Sequence, residues 1–297
     1  MSVSAVHASY VGAVLADNPF AYYRFNESTN TSPVVDQRGG NPGTFKNVPT
    51  VPVPGALPSD VAGTAATFSR TASQYVQLTT MGNFGSTMGN GFSVEFWMKT
   101  TDSTDIQSLY GAANSGGFLT DFISDIGHAG VAGNLRLYFR DDGNHRYETI
   151  SSLGGGNVNL FNNQWHHVVQ VYDPAASALA DRVLFYTDGV RQSATVTIAG
   201  GGANPTLSDF NVPMALAADN TRGTIGDYYQ GSLDEVAFYT TTLSAAQVLN
   251  HYQAAIVPEP STLAMLAGGL GILFSLRRQR AVKPIACSAW KRRGTFR

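Results

Sequence analysis

Along most of this chain, apolar residues recur at every second position in short runs, and turn-forming residues separate the runs. Residues 91–99 show the pattern best: Phe92, Val94, Phe96 and Met98 fall on one side, and Ser93, Glu95, Trp97 and Lys99 on the other. A period of two belongs to a strand with one face in a core. Comparable strand-like runs occur at 20–27, 74–79, 134–140, 146–151, 183–186, 190–198 and 231–239, and residues 165–172 are apolar on both sides, as in a central strand. Asp141-Asp142-Gly143-Asn144 joins two runs as a hairpin, and Asp188-Gly189 is a type I′ turn signal.

Such spacing predicts two antiparallel sheets packed face to face, an all-β sandwich. Its 31 Gly, 13 Tyr and 16 Phe suit that class, and at 13% charged residues the chain is not disordered. A helical signal appears only near the end. Ser244 and Gln247 form a capping box, Leu243 and Val248 take the staple positions, and Val248, Leu249 and Tyr252 give the expected apolar face of a short closing helix.

The C-terminal region is of another kind. Leu263 to Leu276 are fourteen residues without a charge, followed at once by Arg277, Arg278 and Arg280. Fourteen residues rise about 21 Å as a helix, short of the roughly 30 Å hydrocarbon core. Pro258 and Pro260 before the run and the arginines behind it argue against a buried core helix and for membrane topology with the arginines inside. Residues 277–297 carry eight basic residues and no acid, so 1–276 holds eleven basic against twenty-one acidic residues, a net charge of −10. An acidic body excludes nucleic acid as a partner, because phosphate binding needs clustered cations. The one cysteine, Cys287, lies in this tail, so the body has no disulfide and no thiolate metal site.

Val257-Pro258-Glu259-Pro260-Ser261-Thr262, the apolar run and the arginine stop together resemble the PEP-CTERM sorting signal of Gram-negative bacteria that make exopolysaccharide. The resemblance covers 256–280. It implies an apolar anchor helix, export across the inner membrane, processing by an exosortase-type enzyme, and a place in the cell envelope or extracellular matrix. Residues 281–297, expected to be a disordered basic tail, extend beyond the usual end of that pattern. At the other end no Lys or Arg precedes Arg24, and Val6-His7-Ala8 resembles the close of a signal peptide, so 1–8 is read as the remnant of a truncated one.

For residues 9–255, Asn18 to Glu27, Phe92 to Trp97, Trp165 to Val169, Tyr186 to Gly189 and Gly231 to Tyr239 are similar, in order, to the laminin-G-like, concanavalin A-like jelly roll. That resemblance implies the fold and leaves function among lectins, adhesion modules and glycoside hydrolases. It also implies one structural calcium, with Asp36, Asp234 and Glu27 as its ligands; the competing reading is that Asp234 accepts backbone hydrogen bonds and braces the closing turn. A hydrolase of this fold would alternate carboxylates along one strand, and no such string occurs: Asp234 and Glu235 are adjacent, hence on opposite faces, and Glu95 has no acid two residues away. His166-His167 belong to the scaffold, His128, His145 and His251 are expected at the surface, and the glycine triplets are loops. Sugars stack on rings and bond to amides, which makes Tyr110, Asn114, Asn144, Tyr228 and Tyr229 the candidate ligand-binding residues. The expected function is an exported module that binds a glycan or exopolysaccharide without catalysis; the alternatives are a structural biofilm or sheath protein and a glycoside hydrolase.

Overall fold

The computed structural model describes residues 9–103, 105–116, 120–128, 131–151, 156–199 and 204–257. Residues up to Val257 form one unit with its own cores. Among the described residues the strands form two sheets. The first has eight, in the order Val190–Gln192, Val183–Thr187, His166–Tyr172, Phe92–Lys99, Gly231–Tyr239, Thr64–Phe68 and Thr50–Pro54, with Ala21–Tyr23 paired to the 231–239 strand. The second has eleven: Thr195–Ala199, Arg146–Ser151, Leu135–Arg140, Asp121–Ile126, Gln107–Ala113, Ala215–Leu216, Tyr75–Leu78, Gly43–Lys46 and Pro33–Val34, plus the hairpin Asp219–Thr221/Thr224–Gly226 on the 107–113 strand. The expected all-β antiparallel sandwich with a closing helix is what forms.

Alternation along the strands builds the core. Phe92, Val94, Phe96 and Met98 enter the space between the sheets and meet Phe122, Leu137, Phe139 and Tyr147 from the facing strands. Each such side chain, fully buried, contributes about 1.5–3 kcal/mol. Asp188 and Gly189 have φ of 52° and 77°, as a type I′ turn requires.

A second apolar layer covers the outer face of the eight-stranded sheet. Trp97, Val169, Val171 and Tyr239 pack under two helices, Tyr10–Ala16 and Ala245–Ile256. The closing helix carries the expected capping box, with Leu243 and Val248 both buried. Its inward face is Val248, His251, Ala254 and Ala255; of the predicted apolar face Val248 is buried and Tyr252 packs half-buried on Trp97, while Leu249 is 42% exposed. The N-terminal helix was not predicted. Tyr10, Ala13 and Val14 have helical spacing, but seven residues are too few to show a period, and docking holds so short a helix.

Two other expectations shift. The 20–27 run keeps only Ala21–Tyr23 as strand, because Phe25 has φ of 50°. The 190–198 run divides: Val190–Gln192 stays in the first sheet and Thr195–Ala199 crosses to pair with Arg146–Ser151. Among the described residues no helix is long and apolar enough to cross a membrane. The expected signal-peptide remnant, anchor helix and basic tail lie outside the described residues.

Candidate functional site

Beneath the two helices lies a sealed polar cluster. Glu95 accepts hydrogen bonds from Tyr239 (2.7 Å) and from His251 Nδ1 (2.9 Å), and His251 Nε2 meets Asp17, the C-cap of the N-terminal helix, at 2.9 Å. His167 stands 3.4 Å from the same carboxylate. Beside this group Glu235 bonds Tyr22 and Arg24, and Arg24 reaches Asp60 at 2.7 Å. A register shift between Asp234 and Ala237, with Glu235 at φ 51°, breaks the strict alternation, so the opposite-faces expectation for Asp234 and Glu235 fails and both are buried. Glu95, His167 and His251 are fully inaccessible. The surface position expected for His251 is therefore wrong: it pins two helices to one sheet. Glu95, His167 and His251 are closed to solvent, and their contacts hold the two helices on the sheet.

Its titration has a sign. Burial opposes the charge on His251, but the Glu95 and Asp17 carboxylates together outweigh it and raise the imidazole above its ordinary value. Burial would also raise Glu95, but the charges and hydrogen bonds of His251 and His167 together outweigh it and hold Glu95 well below the usual carboxylate range. Glu235 is pushed up to about 7 by burial, against the opposing pull of Arg24. A raised group stabilises the fold below its unfolded pKa, and that stability is lost as pH rises through the folded value. Glu235 loses it between about 4.5 and about 7, and His251 above about 6.5. Glu95, being depressed, gives it up only in strong acid. Thermal unfolding followed by circular dichroism is expected to give a higher midpoint at pH 5 than at pH 8. A midpoint that rises steadily to pH 8 would contradict this coupling.

The outer face of the eleven-stranded sheet has neither of these helices on it, and its outward side chains are mostly polar. Arg136, Tyr138 and Arg140 point out from one strand, level with Asp125, Ile123 and Asp121 on the next. Arg136 pairs with Asp125 through Nε (3.0 Å) and with Glu148 through NH1 (3.0 Å), while its guanidinium lies 5.2 Å from the Tyr138 ring centre. His128 closes this group against Glu148 at 3.3 Å. Next comes the 219–226 hairpin, whose Asp219 lies over Gly111; a Cβ on Gly111 would come within 2.8 Å of the Asp219 Cβ. Asp227 follows, and its carbonyl accepts from Ser108 N at 2.6 Å.

Beyond Asp227 the face turns aromatic. Tyr228 meets Tyr75 with ring centres 6.0 Å apart and planes at 51°. Tyr75 and Gln77 point outward because Val76 and Leu78 point into the core, and Thr44 and Lys46 do so because Phe45 points in. Beside the tyrosines a groove of about 420 Å³ is lined by Thr44, Lys46, Gln77, Thr79, Thr80 and Pro213, among others. Hydroxyls, an amide and an ammonium beside two rings form a surface that can hydrogen-bond and stack at once.

Of the predicted ligand-binding residues, Tyr228 lies on this face. Tyr110 does not: it is a core residue of the 107–113 strand, and its hydroxyl donates to Gln170 at 2.6 Å between the sheets. Tyr229 is fully buried with its hydroxyl on the Lys99 carbonyl, and Asn114 is buried, bridging Asp209 and Asn211 through its amide. Asn144 is exposed at φ 59° and serves the 140–146 turn. Sequence reasoning missed Tyr75, Gln77, Thr44 and Lys46, though their period of two against Val76, Leu78 and Phe45 marks them as outward.

Each of the predicted calcium ligands accepts backbone hydrogen bonds, and Glu27 keeps one buried oxygen without a partner among the described residues. Asp36 accepts four backbone N–H groups, from Tyr22 and Arg38 on one oxygen and from Gly40 and Asn41 on the other. Asp234 accepts from Ala56 and Glu235, the bracing role. Glu27 accepts from Val35. Among the described residues no group of three or more His, Cys, Asp or Glu is placed to hold a metal ion.

Residues 70–249 match the family model described as the concanavalin A-like lectin/glucanases superfamily, and the chain belongs to that family. Residues 257–280 match the PEP-CTERM protein-sorting motif, which implies export to the cell envelope or beyond. No curated protein sequence matches the chain. Among solved structures it is similar to domain 4 of AbnA, a GH43 extracellular arabinanase from Geobacillus stearothermophilus, in complex with arabinotriose. Identity is 18%, coverage is 79% of this chain and 98% of that one, and the TM-score is 0.52. It is also similar to the receptor binding domain of botulinum neurotoxin type G, at 11% identity and TM-score 0.52, covering 80% of this chain. The receptor binding domain of botulinum neurotoxin mosaic serotype C/D gives 13% identity and the same score, again over 80% of this chain. The chain spans about half the length of these neurotoxin structures, 51% in both cases. At such identities the likeness is one of fold.

Proposed function

We propose that this protein is an exported, envelope- or matrix-associated module that binds a glycan or exopolysaccharide without catalysis, using the uncovered face of its larger sheet. The observation that carries the reading is the Tyr75–Tyr228 pair beside a groove of hydroxyl, amide and ammonium groups. The arabinanase domain in complex with arabinotriose supports it by analogy of fold. The sorting motif supports delivery to the envelope, with an exosortase-type enzyme and the inner membrane as passing partners.

A glycan array followed by calorimetry on residues 1–257 tests the reading. Saturable binding of at least one oligosaccharide is expected, with Tyr228→Ala weakening it about tenfold or more, the loss of one stacking contact of roughly 1.4 kcal/mol. Silence across the array would favour a structural biofilm or sheath component. Release of reducing ends from a bound polysaccharide would overturn the non-catalytic assignment and revive a glycoside hydrolase.

A further inference from the structure

Next to the tyrosine pair the outer face gathers Asp125, Asp219 and Asp227 around Arg136. Asp125 is paired by Arg136, which is also shared with Glu148. Among the described residues Asp219 and Asp227 take part in no ion pair, and Asp219 accepts the Thr221 hydroxyl at 3.0 Å. The two lie together by construction, since Asp219 is directly opposite Gly226 in the hairpin and Asp227 follows Gly226 in the chain. Asp219 is 6% exposed and forms the floor, while Asp227 is exposed at the rim. Burial, and after it the Asp227 charge, pushes Asp219 up to about 6. Burial followed by the Asp125 charge raises Asp227 as well.

A second observation is independent of the acids. Ser108 pairs directly with Asp125, so its side chain shares that outer face. The residue is fully buried and its hydroxyl has no hydrogen-bond partner. A buried hydroxyl without a partner costs about 1–3 kcal/mol, and this one belongs to the residue whose N–H bonds the Asp227 carbonyl. The space is shaped as well as charged: Gly111 leaves room for Asp219, and a Cβ at Gly226 would stand 3.7 Å from Asp219 Oδ1. Among the described residues no three His, Cys, Asp or Glu side chains are grouped to hold a metal ion. What meets two unpaired carboxylates and a hydroxyl acceptor beside two rings is a donor with several N–H groups and positive charge, carried on a body that stacks.

We infer that the glycan this face takes is an amino sugar polymer with free amines, its ammonium group seated between Asp219 and Asp227 and its ring against Tyr228. The inference rests on the glycan-binding reading and names the chemical class of the ligand. Calorimetry on residues 1–257 with a glucosamine oligomer and with the same oligomer fully N-acetylated tests it. The amine form is expected to bind at least tenfold tighter at pH 7, with the preference shrinking as salt is raised. Asp227→Asn, at an exposed rim position that the fold does not depend on, is expected to reduce that preference to about twofold or less, and Asp219→Asn to do the same. Equal affinity for the two oligomers, or a preference that survives both substitutions, overturns the inference. If N-acetylated or neutral glycans bind through Tyr228 without preference for the amine, the glycan reading stands and this inference falls. If neither oligomer nor any neutral glycan binds, both fall.

Discussion

Replacing Glu95 by alanine is expected to lower the thermal unfolding midpoint of residues 1–257 by about 10 °C. The carboxylate is fully buried and serves Tyr239, His251 and His167 at once. Removing one member of a buried charged group strands the others, which costs about 3–5 kcal/mol. In a domain of this size each kcal/mol moves the midpoint by about 2–4 °C. The damage has a location too. His251 holds the Asp17 end of the N-terminal helix, so amide exchange at Val11 to Leu15 should speed up before that of the central strands. Glu95→Gln keeps the shape and loses the charge, and is expected to fall between wild type and Glu95→Ala. A midpoint within 2 °C of wild type for the alanine variant would remove the latch from the account of stability.

Asp36→Ala comes second, at about 3–4 kcal/mol, because four backbone donors lose their acceptor together and solvent reaches only some of them. Asp36→Asn keeps both acceptor lone pairs on one atom and offers an unwanted NH₂ to the others, so it should recover less than half of the loss. Chemical denaturation would show both as a lower midpoint at unchanged slope. The same experiment with chelator and with added calcium separates bracing from metal binding. If Asp36 works through these four N–H groups, neither addition shifts the wild-type midpoint. A calcium-dependent shift abolished by Asp36→Ala would restore the metal reading.

Legibility in the sequence followed distance along the chain. The 92–99 strand and the closing helix were readable because their signals are local: a period of two, and a capping box with its staple. The 107–113 strand was not, since Gly111, Ala112 and Ala113 are too small to show a period, and Tyr110 then passed for a loop residue. Glu95 sits on the polar side of its strand, where alternation predicts solvent; the helices that cover it come from both ends of the domain, and no local pattern announces them. Tyr228 was visible as a turn-region aromatic, but its neighbours Tyr75, Asp219 and Lys46 are joined to it only by sheet order. The acid pair was hidden for the same reason, with seven residues between its members and a hairpin needed to close the gap.

The contact between the first and last helices has a mechanical consequence. The Asp17–His251 bond and its apolar surround place the two ends of the folded unit side by side. Tension applied between those ends enters through one helix and leaves through the other, loading their shared seam and bypassing the ladders of both sheets. The sandwich therefore hangs from a stretched chain as a pendant and is not a link within it. Under load the helices peel first, while the outer face of the eleven-stranded sheet keeps its shape.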